Sequence, residues 1–421
     1  MRRAILATAA VLATMGLAFA ADWPQFYGPQ RNGVSPESGL AKTWPASGPK
    51  QLWKLPLGPG FGGVAVEGGR VYLLDRLEDK QEVLRCLDLS SGKEEWNYAY
   101  DAPGKYPHEG SRSTPSVDDK HVFTVGGTGE VLCVDKATHQ LVWQKNIFKT
   151  YGGQPPTWFV SQSPLLYKDL VIIAPQSRQA CLAGLKQTDG QEVWKSSPLG
   201  EMQYASPMIA SIDKLDQVVM LTRKGNKDQV AVVGVDPSDG KTLWTYDGWN
   251  CKIPIPSPTY VGEGRFFITG GYDAGCAMFK VSHEDQKWTV TELFKNNSVD
   301  SHLHNAILYK DYLYINGNSV QQTRIGLVCM DLEGKLKWQT REKPSVEMGN
   351  LVIADGLLYV MDGNSGTLAV VQASPDGYKE LARAKVLSGK GGTVWGPMAI
   401  ADGKLLCRDQ RELKCLDLKN P

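Results

Sequence analysis

The sequence predicts an all-β fold, an eight-bladed β-propeller, and three observations support this. The 421 residues include 44 Gly and 24 Pro spread along the chain, with β-branched and aromatic runs between them and no long helical periodicity. Tryptophan recurs at intervals of 43 to 51 residues, which is the length of a propeller blade of four short strands. The last repeat also lacks its Trp-containing strand, and a strand of this type stands near the start of the chain.

Each repeat consists of an apolar strand, an Asp, a turn that often contains Gly, and then a Trp. In the clearest copy Leu87 and Asp88 lead through Gly92 to Trp96. Asp and Gly favour a tight turn, and Trp carries a large apolar area, so both are expected to hold neighbouring blades together. The predicted docking tryptophans are Trp53, Trp96, Trp143, Trp194, Trp244, Trp288 and Trp338.

The blade count follows from the first strand of each unit. Eight such strands begin near Val64, Pro115, Pro164, Pro207, Pro258, Ala306, Val352 and Pro397. Seven blades is the alternative, if one weak unit is misread. The last unit stops at Leu418, before its Trp strand, whereas the segment from Leu52 to Leu55 is a Trp strand with no blade in front of it. We predict that this N-terminal strand completes the last blade and closes the ring, which removes exposed sheet edges.

Residues 1–20 have the pattern of a secretory signal peptide. Arg2 and Arg3 precede an apolar run that ends in small residues, as in exported proteins. We therefore expect a periplasmic or secreted protein whose mature chain begins near Ala21.

Two segments follow the signal. Residues 21–50 are predicted to be an extended Pro- and Gly-rich arm that packs on the propeller by its aromatic residues, and residues 51–421 form the single propeller domain. Deletion of residues 21–30 is expected to cost much less stability than loss of Trp53.

The charge of the chain is nearly balanced, with 46 Lys and Arg against 45 Asp and Glu. This balance argues against a nucleic-acid or anionic-membrane partner reached by bulk electrostatics. After the signal, no apolar segment approaches the roughly 20 residues that a membrane-spanning helix needs. We expect a monomer whose partner is an envelope protein, a peptide or a glycan.

Function on a propeller usually lies in the loops of one face, around the channel mouth. Here the loops that lead into the innermost strands carry aromatic and polar side chains, a combination that fits a pocket for a small ligand or peptide. The candidate ligand-binding residues are His108, Glu109, Arg112, Trp158, Gln162, Tyr204, His302, His304, Asn350 and Trp395.

His302 and His304 are also weak metal candidates. An extended segment would place both imidazoles on one face, and Glu109 or His108 could complete the shell from another blade. The alternative is that they hydrogen-bond across the channel. The spacing fixes only two ligands, and the sequence contains no nucleophile elbow, phosphate loop or paired Cys motif, so neither a metal site nor a catalytic residue is predicted.

Four of the eight cysteines, Cys86, Cys133, Cys329 and Cys415, precede the motif Asp by two residues. Equivalent positions in different blades suggest small buried residues. An oxidising compartment permits disulfides, and the pair we predict is Cys407 with Cys415, on neighbouring strands of one blade.

The segment at 87–96 resembles the tryptophan-docking repeat of propellers related to pyrroloquinoline quinone (PQQ) dehydrogenases, and the resemblance covers roughly residues 50–418. The arm from Asp22 to Glu37 resembles the start of PQQ-like repeat proteins. The dehydrogenases carry two adjacent cysteines beside the quinone and a calcium held by Glu, Asn and Asp. Here the cysteines stand apart, so the adjacent pair is absent.

A second relative is the propeller lipoprotein of the outer-membrane β-barrel assembly machinery, a non-catalytic scaffold whose lipidated cysteine this chain lacks. The resemblances imply an exported, non-catalytic binding scaffold that needs no cofactor. The alternative is a PQQ- or metal-dependent oxidoreductase, with PQQ and calcium at the channel mouth.

Overall fold

The computed structural model describes residues 21–225, 228–318, 325–341, 343–344, 346–389 and 393–420. The predicted signal segment, residues 1–20, lies outside this range. Eight sheets form the blades of a β-propeller, so the predicted fold class is confirmed. In the described part of the chain, no helix is long and apolar enough to cross a membrane.

Two short strands, β1 (Val34–Ser35) and β2 (Gln51–Pro56), come first and join sheets formed later. The first three blades follow, each with four antiparallel strands, and a short helix, α1 (Ile147–Tyr151), follows the second blade. Their strands are β3 (Ala65–Glu67), β4 (Arg70–Leu77), β5 (Gln81–Asp88) and β6 (Glu94–Asp101); β7 (Ser116–Val117), β8 (His121–Val125), β9 (Glu130–Asp135) and β10 (Leu141–Asn146); β11 (Leu165–Tyr167), β12 (Leu170–Ile173), β13 (Ala183–Lys186) and β14 (Glu192–Lys195).

Blades four to six repeat the same order. Their strands are β15 (Met208–Ile212), β16 (Leu215–Arg223), β17 (Val230–Val235) and β18 (Thr242–Tyr246); β19 (Thr259–Gly262), β20 (Arg265–Thr269), β21 (Cys276–Glu284) and β22 (Lys287–Asn296); β23 (Ile307–Tyr309), β24 (Tyr312–Gly317), β25 (Gly326–Asp331) and β26 (Leu336–Gln339).

The last two blades each include a strand from the N-terminal part of the chain. Blade seven contains β27 (Leu351–Ala354), β28 (Leu357–Met361), β29 (Thr367–Gln372) and β30 (Glu380–Lys385), and blade eight contains β31 (Ala399–Ala401), β32 (Lys404–Arg408) and β33 (Glu412–Asp417). Strand β1 pairs in parallel with β27, and β2 pairs antiparallel with β33, where Trp53 lies opposite Cys415. The predicted closure of the ring by the N-terminal strand is therefore confirmed.

The motif Asp shapes the turn between the third and fourth strands of a blade. The carboxylate of Asp88 accepts a hydrogen bond from the backbone nitrogen of Ser91 at 2.8 Å, and Asp135 accepts one from Thr138 at 2.7 Å. This local bond is the usual reason for Asp in tight turns. The turn shaped by this bond packs against the Trp of the preceding blade.

Four of the predicted docking tryptophans donate from the indole nitrogen to a backbone oxygen in a turn of the next blade, at 2.8 Å in each case. The bonded pairs are Trp53 with Leu89, Trp143 with Gln187, Trp194 with Pro237, and Trp338 with Ser374. The turn glycine allows this contact, because a Cβ on Gly190, whose φ is +70°, would lie 2.7 Å from the Trp143 ring.

Two predicted docking tryptophans make different contacts. His139 stands where other turns have Gly, and Trp96 stacks on its ring at 5.0 Å between centroids. Trp244 donates instead to Gln217 of its own blade. Its neighbour, blade five, has a long β21–β22 hairpin that replaces the docking turn.

Because of this long hairpin, Trp288 does not take the docking position that the sequence predicted for it. In blade five the register shift that marks the docking position lies at Phe294, and the Phe294 ring packs against Gly334 of the next turn. Trp288 lies near the start of β22, half-buried, and stacks on His283 at 4.2 Å. Phe294 therefore takes the docking position. The longer strands β21 and β22 move this position further along the sequence than the repeat spacing predicts.

The predicted Cys407–Cys415 disulfide is wrong. All eight cysteines are free and buried. In the β32–β33 ladder Cys415 lies opposite Leu406, and Cys407 lies opposite Lys414. Successive side chains on a strand point to opposite faces, so the two sulfur atoms lie on different sides of the sheet.

The N-terminal arm runs inside the ring. Trp23 exchanges two backbone hydrogen bonds of 2.8 Å with Val66 on the innermost strand of the first blade. The Arg31 guanidinium donates to the backbone oxygens of Pro164 and Pro207, which precede the innermost strands of blades three and four, at 3.1 and 3.0 Å. Trp23 and Arg31 are each only 1% exposed. The arm thus fills the channel and reaches its mouth from within.

Candidate functional site

A pocket of ≈ 290 Å³ lies at the channel mouth, where the loops lead into the innermost strands. Its floor includes Phe26 of the N-terminal arm. The lining is mostly apolar, with aromatic rings and imidazoles from most of the blades. The lining residues are Phe26, Phe61, His108, Arg112, Trp158, Ser161, Tyr204, Ser206, Ile255, Tyr272, His302, Leu303, His304, Asn305, Met348, Trp395 and Pro397.

The structure brings most of the predicted mouth residues together in this pocket. Those that line it are His108, Arg112, Trp158, Tyr204, His302, His304 and Trp395. Gln162 is buried and exchanges hydrogen bonds of 2.7 and 2.8 Å with the Ala174 backbone. Asn350 lies behind the lining, and Glu109 is exposed beside His108.

Stacked rings form one wall of the pocket. Phe61, from the loop between β2 and β3, stacks on Trp395, which precedes β31, with centroids 5.4 Å apart and ring planes 29° apart. His108 meets the Phe61 ring edge-on at 6.3 Å. Because these rings come from different blades, the wall depends on the closed ring of the propeller.

Two further aromatic pairs extend around the mouth. Trp158 and Tyr204, from the third and fourth blades, lie 5.5 Å apart, and the Trp158 backbone nitrogen donates to the Tyr204 hydroxyl at 3.4 Å. Tyr272 and His302 meet edge-on at 5.0 Å. Rings with exposed faces bind apolar or aromatic groups well.

Arg112 is the charged group among the described lining residues. It donates to the backbone oxygens of Gly110 at 2.6 Å and Pro107 at 2.8 Å, and burial lowers its pKa to about 10. Arg112 therefore stays cationic at neutral pH and is held rigidly by its own loop. Deeper in the blade, the buried Glu82 carboxylate accepts a hydrogen bond from the Tyr100 hydroxyl at 2.6 Å, and burial raises the pKa of Glu82.

The tautomer of His304 is set by its neighbours. The Asn350 side-chain oxygen accepts from the Met398 backbone nitrogen at 2.9 Å, so its amide nitrogen is the atom that points to His304 Nδ1, at 3.2 Å. The Tyr27 hydroxyl lies 3.4 Å from the same Nδ1. An amide nitrogen can only donate, so Nδ1 accepts and the proton resides on Nε2.

Both histidines of the predicted pair are neutral at pH 7. Burial lowers the pKa of His302 to about 4, and burial lowers that of His304 to about 4 against a smaller opposing effect of the Met348 backbone. His302 Nδ1 is buried, and no described residue forms a hydrogen bond with it. The pocket therefore presents uncharged imidazoles beside one fixed cation.

The lining does not fit a calcium-held quinone. Calcium takes six to eight oxygen ligands, with Asp and Glu carboxylates among them, and the described lining residues include no carboxylate. No group of three or more His, Cys, Asp and Glu side chains that could hold a metal ion lies within the described ranges. Of the two further ligands considered with His302 and His304, Glu109 is exposed outside the pocket, whereas His108 lines it.

The family model described as outer membrane protein assembly factor BamB matches residues 41–196, 80–247 and 227–420. The chain belongs to this BamB-type family of PQQ-like propellers. The predicted resemblance is thus confirmed. No curated protein matches the sequence.

Solved structures share the fold of this BamB-type chain. BamB from Moraxella catarrhalis is 13% identical with a TM-score of 0.59, and the match covers 88% of this chain and all of that one. A europium-containing methanol dehydrogenase is 12% identical with a TM-score of 0.65, covering 93% and 88%. A quinohemoprotein alcohol dehydrogenase from Comamonas testosteroni is 12% identical with a TM-score of 0.66, covering 95% and 81%. These likenesses show the fold and do not separate scaffold from oxidoreductase.

Sequence reasoning missed several lining residues of this BamB-type propeller. Phe61 stands in the loop before the first inner strand, so its position among the equivalent loops could have identified it. Phe26 reaches the pocket through the path of the arm, and Tyr272 comes from a loop between β20 and β21. Neither position carries a repeat signal in the sequence.

Proposed function

We propose that the chain is an exported, non-catalytic binding scaffold that holds a protein or peptide partner at the channel mouth. The observation that supports this most is the pocket of ≈ 290 Å³, whose walls are aromatic and whose floor includes Phe26 of the arm. The pocket is at the small end of the range for small-molecule sites. It has room for one bulky side chain rather than for a folded segment.

The chemistry of the lining describes the side chain that would fit. Phe61 and Trp395 offer stacked rings, and the Arg112 guanidinium lies 5.5 Å from the Phe61 centroid. A buried aromatic anchor surrounded by a rim of weaker contacts is a common arrangement at protein interfaces. We expect an aromatic or large apolar anchor, with an acidic group of the partner close to Arg112.

A covalent trap at the mouth tests this function. A photoreactive benzoylphenylalanine would replace Trp395 at the mouth, and in a control protein it would replace Val193, which is 47% exposed on an outer strand. After irradiation of cells that express each protein, a partner should be cross-linked at position 395 and not at position 193. Identical adducts at both positions, or none at 395, would contradict a role of the mouth.

The export of the chain is a separate part of the proposal. Residues 1–20 carry the signal pattern, and the proposed location is the periplasm or the cell exterior. Fractionation of cells that express the full chain should place it outside the cytoplasm with its first residues removed, whereas Arg2→Glu together with Arg3→Glu should retain the precursor. Cytoplasmic accumulation of the unaltered chain would contradict export.

A PQQ- and calcium-dependent oxidoreductase is the competing function. Reconstitution of the mature protein with PQQ and calcium, followed by dye-linked assays on alcohols and sugars, separates the two. The scaffold proposal predicts no turnover. Turnover that is lost in Trp395→Ala would replace it with an enzyme whose site is the same mouth.

A further inference from the structure

A second cavity opens beside the mouth pocket, at the loops of the third and fourth blades. Its volume is ≈ 990 Å³, and Trp158 and Tyr204 line both cavities. We call it the side groove and define it by the segments 152–158, 175–179 and 200–204 with Arg223, Asp228 and Lys252. These segments are loops rather than strands, so the groove presents side chains and no continuous sheet edge.

Four primary amides contribute to the polar lining of the side groove. Gln154 and Gln179 are exposed at its rim, and Gln176 and Gln203 are buried in its wall. Each amide offers a hydrogen-bond donor and an acceptor side by side. Three basic and two acidic residues are among the described lining residues, so the charge of the groove is close to balanced.

Gln176 carries an unused donor in this wall. Its side chain is buried, with 2% of the residue exposed, and its Oε1 accepts from the Gln203 backbone nitrogen at 3.3 Å. No described protein atom accepts a hydrogen bond from its Nε2. Its φ of +44° is also in the left-handed region, which is unfavourable for a residue with a Cβ. Buried unsatisfied donors and strained backbone of this kind gather at binding sites.

Arg223 carries a second donor without a hydrogen-bond partner in the described part of the chain. One of its terminal nitrogens donates to the Lys252 backbone oxygen at 2.6 Å, and its Nε is buried with no hydrogen-bond partner among the described residues. Both side chains line the groove, and each carries a donor without a hydrogen-bond partner among the described residues. At the shared boundary with the mouth pocket, Trp158 is half-buried and lines both cavities.

We propose that the side groove binds a neutral oligosaccharide, with one sugar ring against Trp158. Sugar hydroxyls both donate and accept, which matches the amide lining, and the C–H face of a sugar packs on an aromatic ring. The balanced charge does not favour a polyanion. An extended peptide binds most readily to an exposed sheet edge, which these loop walls do not provide.

The inference goes beyond the proposed function, because it concerns a different cavity and a different class of ligand. The two are separable by residue. Trp395 lines the mouth pocket alone, and Gln176 lines the side groove alone.

Isothermal titration calorimetry on the mature protein tests the proposal with neutral hexasaccharides of α-linked glucose, β-linked glucose, xylose, mannose and N-acetylglucosamine. At least one should bind with a measurable heat. Gln176→Leu should raise its Kd about tenfold, the scale of a lost hydrogen bond to a buried polar group. Gln179→Ala, an exposed change that leaves the folded structure intact, should weaken binding in the same direction.

Two controls define the site. Gln191→Leu removes the amide of an exposed glutamine in the turn at the opposite end of the same blade, and it should leave the Kd unchanged. Trp395→Ala should also leave sugar binding unchanged, even where it abolishes partner capture at the mouth. The proposal is overturned if no hexasaccharide binds, if the groove variants bind as tightly as the unaltered protein, or if only peptides or polyanions bind there.

Discussion

The indole nitrogen of Trp53 donates to the backbone oxygen of Leu89 at 2.8 Å, and this bond joins the last blade to the first. Trp53 lies on β2, the one strand of blade eight that comes from the N-terminal side of the chain. A Cβ on Gly92 would lie 2.5 Å from its ring, so the turn of the first blade packs directly on the indole. The ring is thus closed by both a strand ladder and an aromatic contact.

Trp53→Ala should lower the free energy of unfolding by about 3 to 5 kcal/mol, the usual cost of removing a large buried aromatic side chain. Trp288→Ala is the matched control, because Trp288 is half-buried on an outer strand and does not dock blades. It should cost about 1 kcal/mol, as for an average substitution. Urea unfolding followed by circular dichroism measures both. Equal costs would contradict a special role of Trp53 in closure.

Deletion of residues 21–30 should destabilise the fold at least as much as Trp53→Ala. The expectation from the sequence was a small effect, but Trp23 is 1% exposed and Tyr27 is 3% exposed inside the ring. Two large buried aromatics are lost together, and the channel loses its filling. Thermal unfolding of the truncated chain measures this. A melting temperature above that of Trp53→Ala would contradict this expectation.

Local sequence signals predicted the parts of the fold that depend on repetition. The Trp strand around Trp53 has no blade in front of it, and the last blade lacks such a strand, so closure could be inferred without any long-range contact. The same counting failed at Trp288, because spacing alone does not reveal that β21 and β22 are long and move the docking position to Phe294. The arm inside the channel carries no periodic signal.

The candidate site was predicted in part for a similar reason. Equivalent loops carry residues such as His108 and Trp158, and the closed ring brings them together. Phe26 and Tyr272 enter from outside this set of loops and could not be found by comparing repeats. The cysteine pairing failed on strand geometry, since Cys407 and Cys415 are on neighbouring strands but face opposite sides.

All eight cysteines should be unreactive in the folded protein and free after unfolding. They are buried, and burial raises the pKa of thiols such as Cys181 and Cys415 to about 12, which removes the reactive thiolate. Alkylation with iodoacetamide in native buffer should therefore add little mass, whereas alkylation in urea without reductant should label eight sites. Fewer labels in urea would reveal a disulfide, and reductant would then lower the melting temperature.

His302 and His304 should make the protein lose stability in mild acid. Their pKa values are about 4 in the folded state because of burial, and about 6.5 in an unfolded chain. Between these values the unfolded state binds protons that the native state does not, so stability rises with pH across this window and is lost as pH falls through it. Each histidine contributes a slope of at most about 1.4 kcal/mol per pH unit.

The change in the free energy of unfolding with pH, rather than its absolute value, identifies the contribution of the histidines. Urea unfolding at intervals between pH 4.5 and pH 7 should show a smaller dependence on pH in His302→Gln than in the unaltered protein, whatever the variant costs at pH 7. Trp53→Ala should lose stability at every pH and keep the slope, because it removes no titrating group. The raised pKa of Glu82 gives a pH dependence of stability with the opposite sign. Because Glu82 is present in all three proteins, its contribution cancels when their slopes are compared. An unchanged slope in His302→Gln would mean that this imidazole is already protonated in the folded state at mildly acidic pH.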